Sequence, residues 1–188
     1  MGSWSLTSKL YRFRQAWFMK WILEEEKDNM RYLLEGVQAG LILDIGSGIG
    51  SSLDLFPENR RLVCCDRAVP MLKKIKGRVN LHTSAADAEH LPFRDGIFDM
   101  VSLIGVIEYL KDLDLVFQET ARVLQPGGFL LLTSSPPSLW TFFRLALGKR
   151  LHPRDGAFVN RFAHDRGFFI LGRTCSFLQE QFLFQYDP

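Results

Sequence analysis

The stretch Leu41-Ile42-Leu43-Asp44-Ile45-Gly46-Ser47-Gly48-Ile49-Gly50 decides the fold, because an apolar run of strand length reaches an acid and then breaks into glycines. The apolar run predicts a buried central strand. Glycines at alternate positions predict a tight turn at which backbone N–H groups approach a ligand closely. A side chain at Gly46 or Gly48 would block that approach, so this turn is the first candidate for a binding site.

The chain has 188 residues, of which 47% are hydrophobic, and a net charge of +2. This length predicts one domain with a substantial core. No apolar run reaches the roughly 18 residues of a membrane-spanning helix, and no signal peptide is expected at the N-terminus. Cys64, Cys65 and Cys175 fit neither a metal-ligand spacing nor a disulfide framework. They predict reduced thiols in a cytoplasmic protein that has no metal site.

Residues 1–38 predict an N-terminal helical cap composed of two helical segments. Aromatic residues such as Trp17 and Trp21 recur near helical spacing, with basic residues such as Arg12 and Lys20 among them. One interpretation is that these helices pack on the domain and cover the cleft. The other is an amphipathic surface that touches a membrane peripherally or covers a substrate.

Asp66 ends the second predicted strand, 20 residues after Gly46. In a βαβ unit this interval places a carboxylate beside the turn. Its two oxygens would there accept hydrogen bonds from both hydroxyl groups of a ribose. The alternative is that Asp66 caps a helix predicted over residues 68–76.

The spacing G-x-G-x-G differs from the dinucleotide fingerprint G-x-G-x-x-G, which argues against an NAD-dependent oxidoreductase. Three further motifs follow in order: D-A-x-x-L-P-F at residues 87–93, Phe98-Asp99, and Pro126-Gly127-Gly128 in a tight turn before the fifth strand. Together these parts resemble the class I S-adenosylmethionine (SAM)-dependent methyltransferases of the type 11 subgroup. The resemblance extends from about Leu41 to Thr133, which is half of the chain.

The resemblance implies a Rossmann-like α/β fold with a seven-stranded, mostly parallel sheet, an antiparallel edge strand and helices on both faces. SAM, with S-adenosylhomocysteine (SAH) as its product, would bind at the carboxyl ends of the strands. A single domain would span residues 1–188, with its SAM-binding core at 41–133. A substrate-side insertion and the last helix would occupy 134–166, and two closing edge strands 167–188.

The resemblance also implies roles for individual residues. Asp87 would accept a hydrogen bond from the adenine amino group, and the backbone amides of Ala86 and Ala88 would meet the ring nitrogens. The strand end at Ile104 and Gly105 would line the methionine side of the cofactor. The predicted cofactor-binding set is Asp44, Gly46, Ser47, Gly48, Gly50, Asp66, Arg67, Ala86, Asp87, Ala88, Ile104 and Gly105.

Methyl transfer from a sulfonium is an in-line displacement, so the protein has to align the acceptor, the methyl carbon and the sulfur and to exclude water. A base is needed where the acceptor must lose a proton. Glu108, Tyr109, His152 and His164 are the candidates, and the histidines suit proton transfer near neutral pH. Many members of the resembling family carry Glu-His where this chain has Glu108-Tyr109, which leaves the base open.

The strongly apolar stretch at 138–150 predicts a small, apolar or aromatic acceptor that is lipid-like or quinone-like. A cover over the acceptor, an interfacial helix at a membrane, and core packing remain open for this stretch. A nucleic-acid partner is not expected, because the chain has no basic stripe and no motif for a flipped base. The alternative function is a catalytically silent SAM- or SAH-binding protein that serves as a partner subunit. The oligomeric state stays open.

Overall fold

A computed structural model describes residues 17–75, 77, 79–138, 141–142, 146 and 151–188. In this part of the chain, the strands form one seven-stranded sheet in the order β3-β2-β1-β4-β5-β7-β6. The strands are β1 (Leu41–Ile45), β2 (Arg61–Asp66), β3 (Leu81–Ala85), β4 (Phe98–Leu103), β5 (Leu124–Ser134), β6 (Phe168–Cys175) and β7 (Glu180–Tyr186). β1 to β5 are mutually parallel.

The two closing strands form the predicted antiparallel pair at one edge of the sheet. β7 runs against both β5 and β6, so β6 is the outermost strand and again points in the direction of β1 to β5. The predicted fold class, a Rossmann-like α/β fold with a mostly parallel sheet, is therefore confirmed. The strand of opposite direction is inserted next to the edge, between β5 and β6.

The helices are α1 (Trp17–Leu33), α2 (Val69–Leu72), α3 (Asp114–Val123) and α4 (Gly156–His164), with short 3-10 turns at Leu53–Leu55 and Ile107–Tyr109. The helix predicted over residues 68–76 is reduced to the single turn of α2. Pro70 stands in its first turn, where its missing N–H is tolerated. The turn predicted at Pro126-Gly127-Gly128 is a bulge in β5, because the register with β4 shifts between the pairs Phe98–Leu124 and Met100–Phe129.

Both faces of the sheet are buried, and alternate residues of the central strands serve opposite faces. Leu43 and Ile45 of β1 pack with Val116 and Phe117 of α3 and with Val159 of α4. On the other face, Ile42, Met100 and Leu131 pack with Met30 and Leu33 of α1. The continuous apolar runs of β1 and β4 follow from this two-sided burial.

α1 lies over the β6–β7 hairpin. Glu26 accepts a hydrogen bond from the Ser176 hydroxyl at 3.1 Å, and the Asn29 amide donates to the Cys175 carbonyl at 3.4 Å. Lys27 forms an ion pair at 2.8 Å with Asp54, which follows the glycine turn. The described part of the predicted N-terminal cap therefore packs on the domain, whereas residues 1–16 lie outside the described residues.

In the part of the chain that the structure describes, none of the helices combines the length and the apolar character that a transmembrane span requires.

Asp99 joins the amino ends of three central strands. Its Oδ2 accepts hydrogen bonds from the backbone N–H groups of Gly40 and Leu41 at 2.8 and 2.7 Å. Its Oδ1 accepts a hydrogen bond from the side-chain amide of Gln125 at 2.6 Å. One carboxylate at the start of β4 thus holds the chain at the start of β1 and at the start of β5.

Replacing Asp99→Ala is expected to lower the free energy of unfolding by about 2–4 kcal/mol, because two backbone N–H groups lose a charged acceptor. Asp99→Asn keeps one acceptor oxygen and should lose clearly less. Urea unfolding of the two variants and the wild type measures the difference. Equal stability of the wild type and the alanine variant would contradict the proposed role of this carboxylate.

Candidate cofactor-binding site

The glycine turn is bonded to the end of the neighbouring strand. The N–H groups of Gly46 and Ser47 both donate to the Cys65 carbonyl, at 2.7 and 3.1 Å. The N–H of Gly48 donates to Asp66 Oδ2 at 2.8 Å. Gly46, Gly48 and Gly50 have φ angles of +72°, +55° and +82°, a region that side chains disfavour. The predicted requirement for glycine therefore follows from the backbone itself.

The space beside each glycine differs. A Cβ atom on Gly46 would lie 2.5 Å from Cγ2 of Val106, so the neighbouring loop fills this space. At Gly48, the nearest described atom to such a Cβ would be Cε of Met71 at 3.8 Å, which is ordinary contact. Gly48 is thus the point of the turn at which another molecule could approach the backbone.

Asp44 lies beneath the turn, with 1% of its surface exposed. Its Oδ1 accepts a hydrogen bond from the Ser102 hydroxyl at 2.6 Å, and its Oδ2 accepts one from Ser52 at 2.7 Å. The Ser47 hydroxyl donates to the Asp44 carbonyl at 2.6 Å. Burial raises the pKa of the Asp44 carboxyl, while the hydroxyl donors act in the opposite direction.

Asp44 and Ser47 belong to the predicted cofactor-binding set, and their side chains are buried beneath the turn. The Asp44 carboxylate accepts from two serine hydroxyls and the Ser47 hydroxyl donates to the Asp44 carbonyl, so both side chains are engaged within the protein. Their contact with a cofactor stays a prediction. Asp44 positions the turn, and Ser47 has its main-chain N–H bonded to Cys65.

The Asp66 carboxylate holds the backbone on both sides of it. One oxygen accepts from Gly48 as described, and Oδ1 accepts a hydrogen bond from the N–H of Ala68, the residue before α2, at 2.7 Å. Because each carboxylate oxygen has two acceptor sites, capacity remains for further donors. The side chain is half-buried at the carboxyl end of β2.

Asp87 follows β3, with 41% of its side chain exposed. Its Oδ1 accepts a hydrogen bond from the Glu89 N–H at 3.2 Å, and the Arg67 guanidinium lies 3.7 Å from its Oδ2. The N–H of Ala86 donates to the Asp66 carbonyl at 3.3 Å. The Ala86 amide thus already has a partner within the protein, and the predicted contacts of Ala86 and Ala88 with an adenine ring stay predictions.

The end of β4 completes this edge of the sheet. The N–H of Gly105 donates to the hydroxyl oxygen of Thr133 in β5 at 2.8 Å, and Gly105 has a φ of +66°. Ile104 is partly buried against the core. The glycine turn, Asp66, Asp87 and Gly105 thus follow β1, β2, β3 and β4 at one edge, where the strand order reverses around β1. Such a switch point is the usual place of a nucleotide cofactor in an open α/β sheet.

Three of the four base candidates lie together after β4 and β5. Glu108 has 2% of its surface exposed, and its Oε1 accepts a hydrogen bond from the Ser135 hydroxyl at 3.2 Å. The N–H of His152 donates to the Glu108 carbonyl at 2.7 Å. Tyr109 is 48% exposed. The carboxylate of Glu108 is thus enclosed in the protein, whereas Tyr109 reaches the surface.

His164 is corrected as a base candidate. It is the last residue of α4, and its ring packs edge-on against Phe169, with 5.3 Å between the ring centroids. Phe169 stands at the beginning of β6, which runs in the same direction as β1 to β5. His164 therefore lies near the amino ends of the parallel strands, whereas the glycine turn lies at their carboxyl ends, and it cannot act there.

Arg154 is a residue of this region that sequence reasoning missed. Its guanidinium donates to four backbone carbonyls at 2.6–3.1 Å, those of Ile107, Leu110, Lys111 and His152. Burial lowers the pKa of Arg154, and the nearby charges of Glu108 and Asp112 oppose this shift. An arginine in a polar loop carries no signal of this role, because three of the four carbonyls that it binds are distant in sequence. The predicted acceptor cover at 138–150 lies mostly outside the described residues.

The sheet order and the glycine turn at its switch point define a class I methyltransferase-type domain. A family model described as a methyltransferase domain, of type 11, matches residues 43–132. This part of the chain is therefore a class I SAM-dependent methyltransferase domain of type 11, which confirms the resemblance found in the sequence.

Two named relatives show how far the similarity extends. The malonyl-[acyl-carrier protein] O-methyltransferase of Geobacter sulfurreducens is 32% identical over 132 residues, covering 65% of this chain and 49% of that protein. The demethylmenaquinone methyltransferase of Streptomyces griseus is 32% identical over 105 residues, covering 55% and 46%. The chain thus spans about half the length of these relatives.

Solved structures share the fold. A magnesium protoporphyrin IX methyltransferase from Synechocystis with bound SAH has a TM-score of 0.75 at 15% identity, covering 96% of this chain and 95% of that chain. A SAM-dependent methyltransferase from Methanosarcina mazei has a TM-score of 0.70 at 17% identity, covering 83% and 97%. At such low identity the likeness establishes the architecture.

Gly46→Ala is expected to lower the free energy of unfolding by about 2–4 kcal/mol, because the new methyl group combines a strained φ with a collision against Val106. Gly36→Ala is the control, since Gly36 has a φ of +79° but no described atom lies within 4 Å of its would-be Cβ. It should cost about 1 kcal/mol. Val106→Ala should recover part of the loss in the Gly46 variant. Equal costs at both glycines, measured by urea unfolding, would contradict the collision.

Asp44→Asn is expected to make stability less dependent on pH. Because the folded-state pKa of Asp44 is raised, its carboxyl favours the fold below the ordinary value of 3.8, and this contribution is lost as pH rises through the folded pKa. The stability of the asparagine variant should therefore increase relative to that of the wild type as the pH rises from about 4 towards neutrality. Thermal unfolding across this range is the measurement, with the exposed Asp28→Asn as control. A parallel pH profile for Asp44→Asn and the wild type would show that the charge has no such cost.

Proposed function

We propose that this protein transfers a methyl group from SAM to a small acceptor by in-line displacement and releases SAH. One observation carries the proposal: Asp66 and Asp87 follow adjacent strands beside a glycine turn at the switch point of the sheet. Two carboxylates at this edge suit the two hydrogen-bonding ends of an adenosine, the ribose hydroxyls and the adenine amino group. SAM supplies the activated methyl group, and the protein supplies the alignment.

The chemistry of the donor set fits this cofactor. Asp66 would accept from the ribose hydroxyls with the acceptor sites that Gly48 and Ala68 leave open. Asp87 would accept from the adenine amino group, and its ion pair with Arg67 is exposed and therefore weak enough to rearrange. The backbone at Gly48 would approach the cofactor closely, with Gly46 and Gly50 shaping the turn.

The remaining predicted contacts complete the proposed arrangement. Ala88 would offer its amide to the adenine ring, and Arg67 would lie beside the base. Ile104 and Gly105, at the end of β4, would line the methionine side. These assignments rest on the strand ends to which the residues belong.

The acceptor is proposed to be small and apolar or aromatic, of a lipid-like or quinone-like type. Two relatives are named for malonyl-acyl-carrier protein and for demethylmenaquinone, which supports this class. The apolar sequence at 138–150 and the exposed Trp21 of α1 support peripheral contact with a membrane surface as part of the same proposal. Tyr109 and His152 are the proposed groups for moving a proton where the acceptor requires it.

A specific observation favours a second candidate, a silent SAM- or SAH-binding partner subunit. Glu108 is enclosed beneath Ser135, and Tyr109 stands where many members of the family carry histidine. Formation of SAH from SAM in the presence of demethylmenaquinone or malonyl-acyl-carrier protein would favour the enzyme. Tight SAH binding without turnover on a broad acceptor panel would favour the partner subunit.

Calorimetric titration of the chain with SAM, SAH and NAD tests the proposed cofactor directly. Binding of SAM and SAH with no heat from NAD is the expected result. Binding of NAD in preference to both would overturn the proposal, and so would the absence of any binding.

Asp66→Ala should weaken SAH binding by about 1–3 kcal/mol, which is roughly 5- to 150-fold, because charged hydrogen bonds to the ribose are lost. Asp66→Asn keeps one acceptor for the turn and separates ribose binding from folding. Asp165→Ala is the control, since it removes an exposed carboxylate at the end of α4, away from the site. Unchanged SAH affinity in both Asp66 variants would remove this residue from the ribose site.

A further inference from the structure

The side chain of Arg122, in the last turn of α3, uses all of its N–H donors on two carboxylates and two backbone carbonyls. Its Nε and one Nη donate to the two oxygens of Glu119, each at 2.7 Å. The other donors reach the carbonyls of Phe93 and Leu91 at 2.7 and 2.9 Å and the carboxylate of Asp95 at 2.7 Å. The five N–H groups of a guanidinium are thereby satisfied.

Glu119 and Arg122 both form hydrogen bonds with the backbone of Leu91. Glu119 Oε2 accepts a hydrogen bond from the Leu91 N–H at 2.7 Å, while Arg122 donates to the Leu91 carbonyl. The Leu91 side chain is buried in the core beneath them. We call this pair, Glu119 with Arg122, the α3 clamp. It fixes a residue of an irregular loop from both sides of its backbone.

The clamped residue is connected to Asp87 by one tight turn. The N–H of His90 donates to the Asp87 carbonyl at 3.0 Å, and the N–H of Glu89 donates to the Asp87 carboxylate at 3.2 Å. On the other side, Ala86 is bonded to Asp66 at the end of β2. The loop that carries Asp87 is therefore bonded to the sheet at Ala86 and to the α3 clamp at Leu91.

The electrostatics keep the α3 clamp closed at neutral pH. The hydrogen bond from Arg122 lowers the pKa of Glu119, and that of the Leu91 amide acts in the same direction. Glu119 and Arg122 are both partly buried, with 19% and 31% of their side chains exposed. A bidentate pair of this kind has a defined geometry, which a single exposed ion pair lacks.

We propose that Glu119 and Arg122 are positioning residues for cofactor recognition, which set the place of the Asp87 carboxylate from the far end of its loop. The inference rests on the proposed function, because it assumes that Asp87 meets the adenine amino group. The α3 clamp does not touch the cofactor in this arrangement. It acts through Leu91 and the turn at residues 87–90.

A double-mutant cycle on the full chain tests the inference, with SAH affinity measured by calorimetry. Arg122→Gln should weaken SAH binding about tenfold in the wild-type background, which corresponds to the loss of one well-placed hydrogen bond to a charged group. In the Asp87→Ala background the same substitution should change affinity less than about twofold, because its target is already absent. Glu119→Gln, which disturbs the N–H side of Leu91, should follow the same pattern and serves where Arg122→Gln folds poorly.

Arg166→Gln provides a matched control. Arg166 is similarly enclosed, with 27% of its side chain exposed, pairs with Asp114 and donates to the Phe162 carbonyl at 3.0 Å. Its loss should lower the unfolding midpoint without changing SAH affinity. A ligand control uses S-inosylhomocysteine, in which oxygen replaces the adenine amino group. Arg122→Gln and the wild type should bind this ligand with the same affinity, because it lacks the amino group that Asp87 would contact.

The outcomes separate the possible explanations. Equal loss of SAH affinity with and without the Asp87 carboxylate would overturn the inference, while the proposed function would stand. A lowered unfolding midpoint with unchanged affinity would also overturn it, because the α3 clamp would then be merely structural. A wild-type chain that binds no SAH would overturn both proposals together.

Discussion

The burial of one carboxylate, that of Asp44, is the constraint on which the rest of the site depends. A buried charge is costly unless its oxygens are satisfied, and here Ser102 of β4 and Ser52 after the turn supply the hydroxyl groups. These bonds join β1, β4 and the segment beyond the glycines at the point where the strand order reverses. Hydrogen bonds within the protein therefore hold the glycine turn, and a preformed site loses less entropy on binding.

Two arginines hold the irregular segments on either side of this turn. Arg122 binds carbonyls of the loop that follows Asp87, and Arg154 binds carbonyls of the segment that carries Glu108 and Tyr109. Loops without strand partners leave backbone carbonyls unpaired, and a planar guanidinium with five donors can satisfy several of them at once. The loop after Asp87 and the segment that carries Glu108 are thus each held by one side chain from a neighbouring element.

The sequence predicted those parts whose physical cause is local. The glycines, the apolar strands and the acids at their ends appear within short windows, so the sequence predicted the carboxyl ends of β1 and β2 closely, with Asp66 as the last residue of β2. The direction in which a side chain points is harder to predict. The sequence did not show that the side chains of Asp44 and Ser47 are buried beneath the turn, or that His164, a base candidate, lies at the other end of the parallel strands. Each of these depends on how distant strands and helices pack.

By itself, the sequence determined the class of fold, the order of the cofactor-side motifs and the family, because strand periodicity, positive-φ glycines and strand-terminal acids are encoded locally. Only the tertiary structure showed that the Asp44 carboxylate is buried whereas that of Asp87 is partly exposed, and that Glu108, Tyr109 and His152 lie together. Only the fold brings α3 against the Asp87 loop and residues 152–154 against the end of β4. Contacts between residues that are distant in the chain arise from packing, and no short stretch of sequence contains the partner.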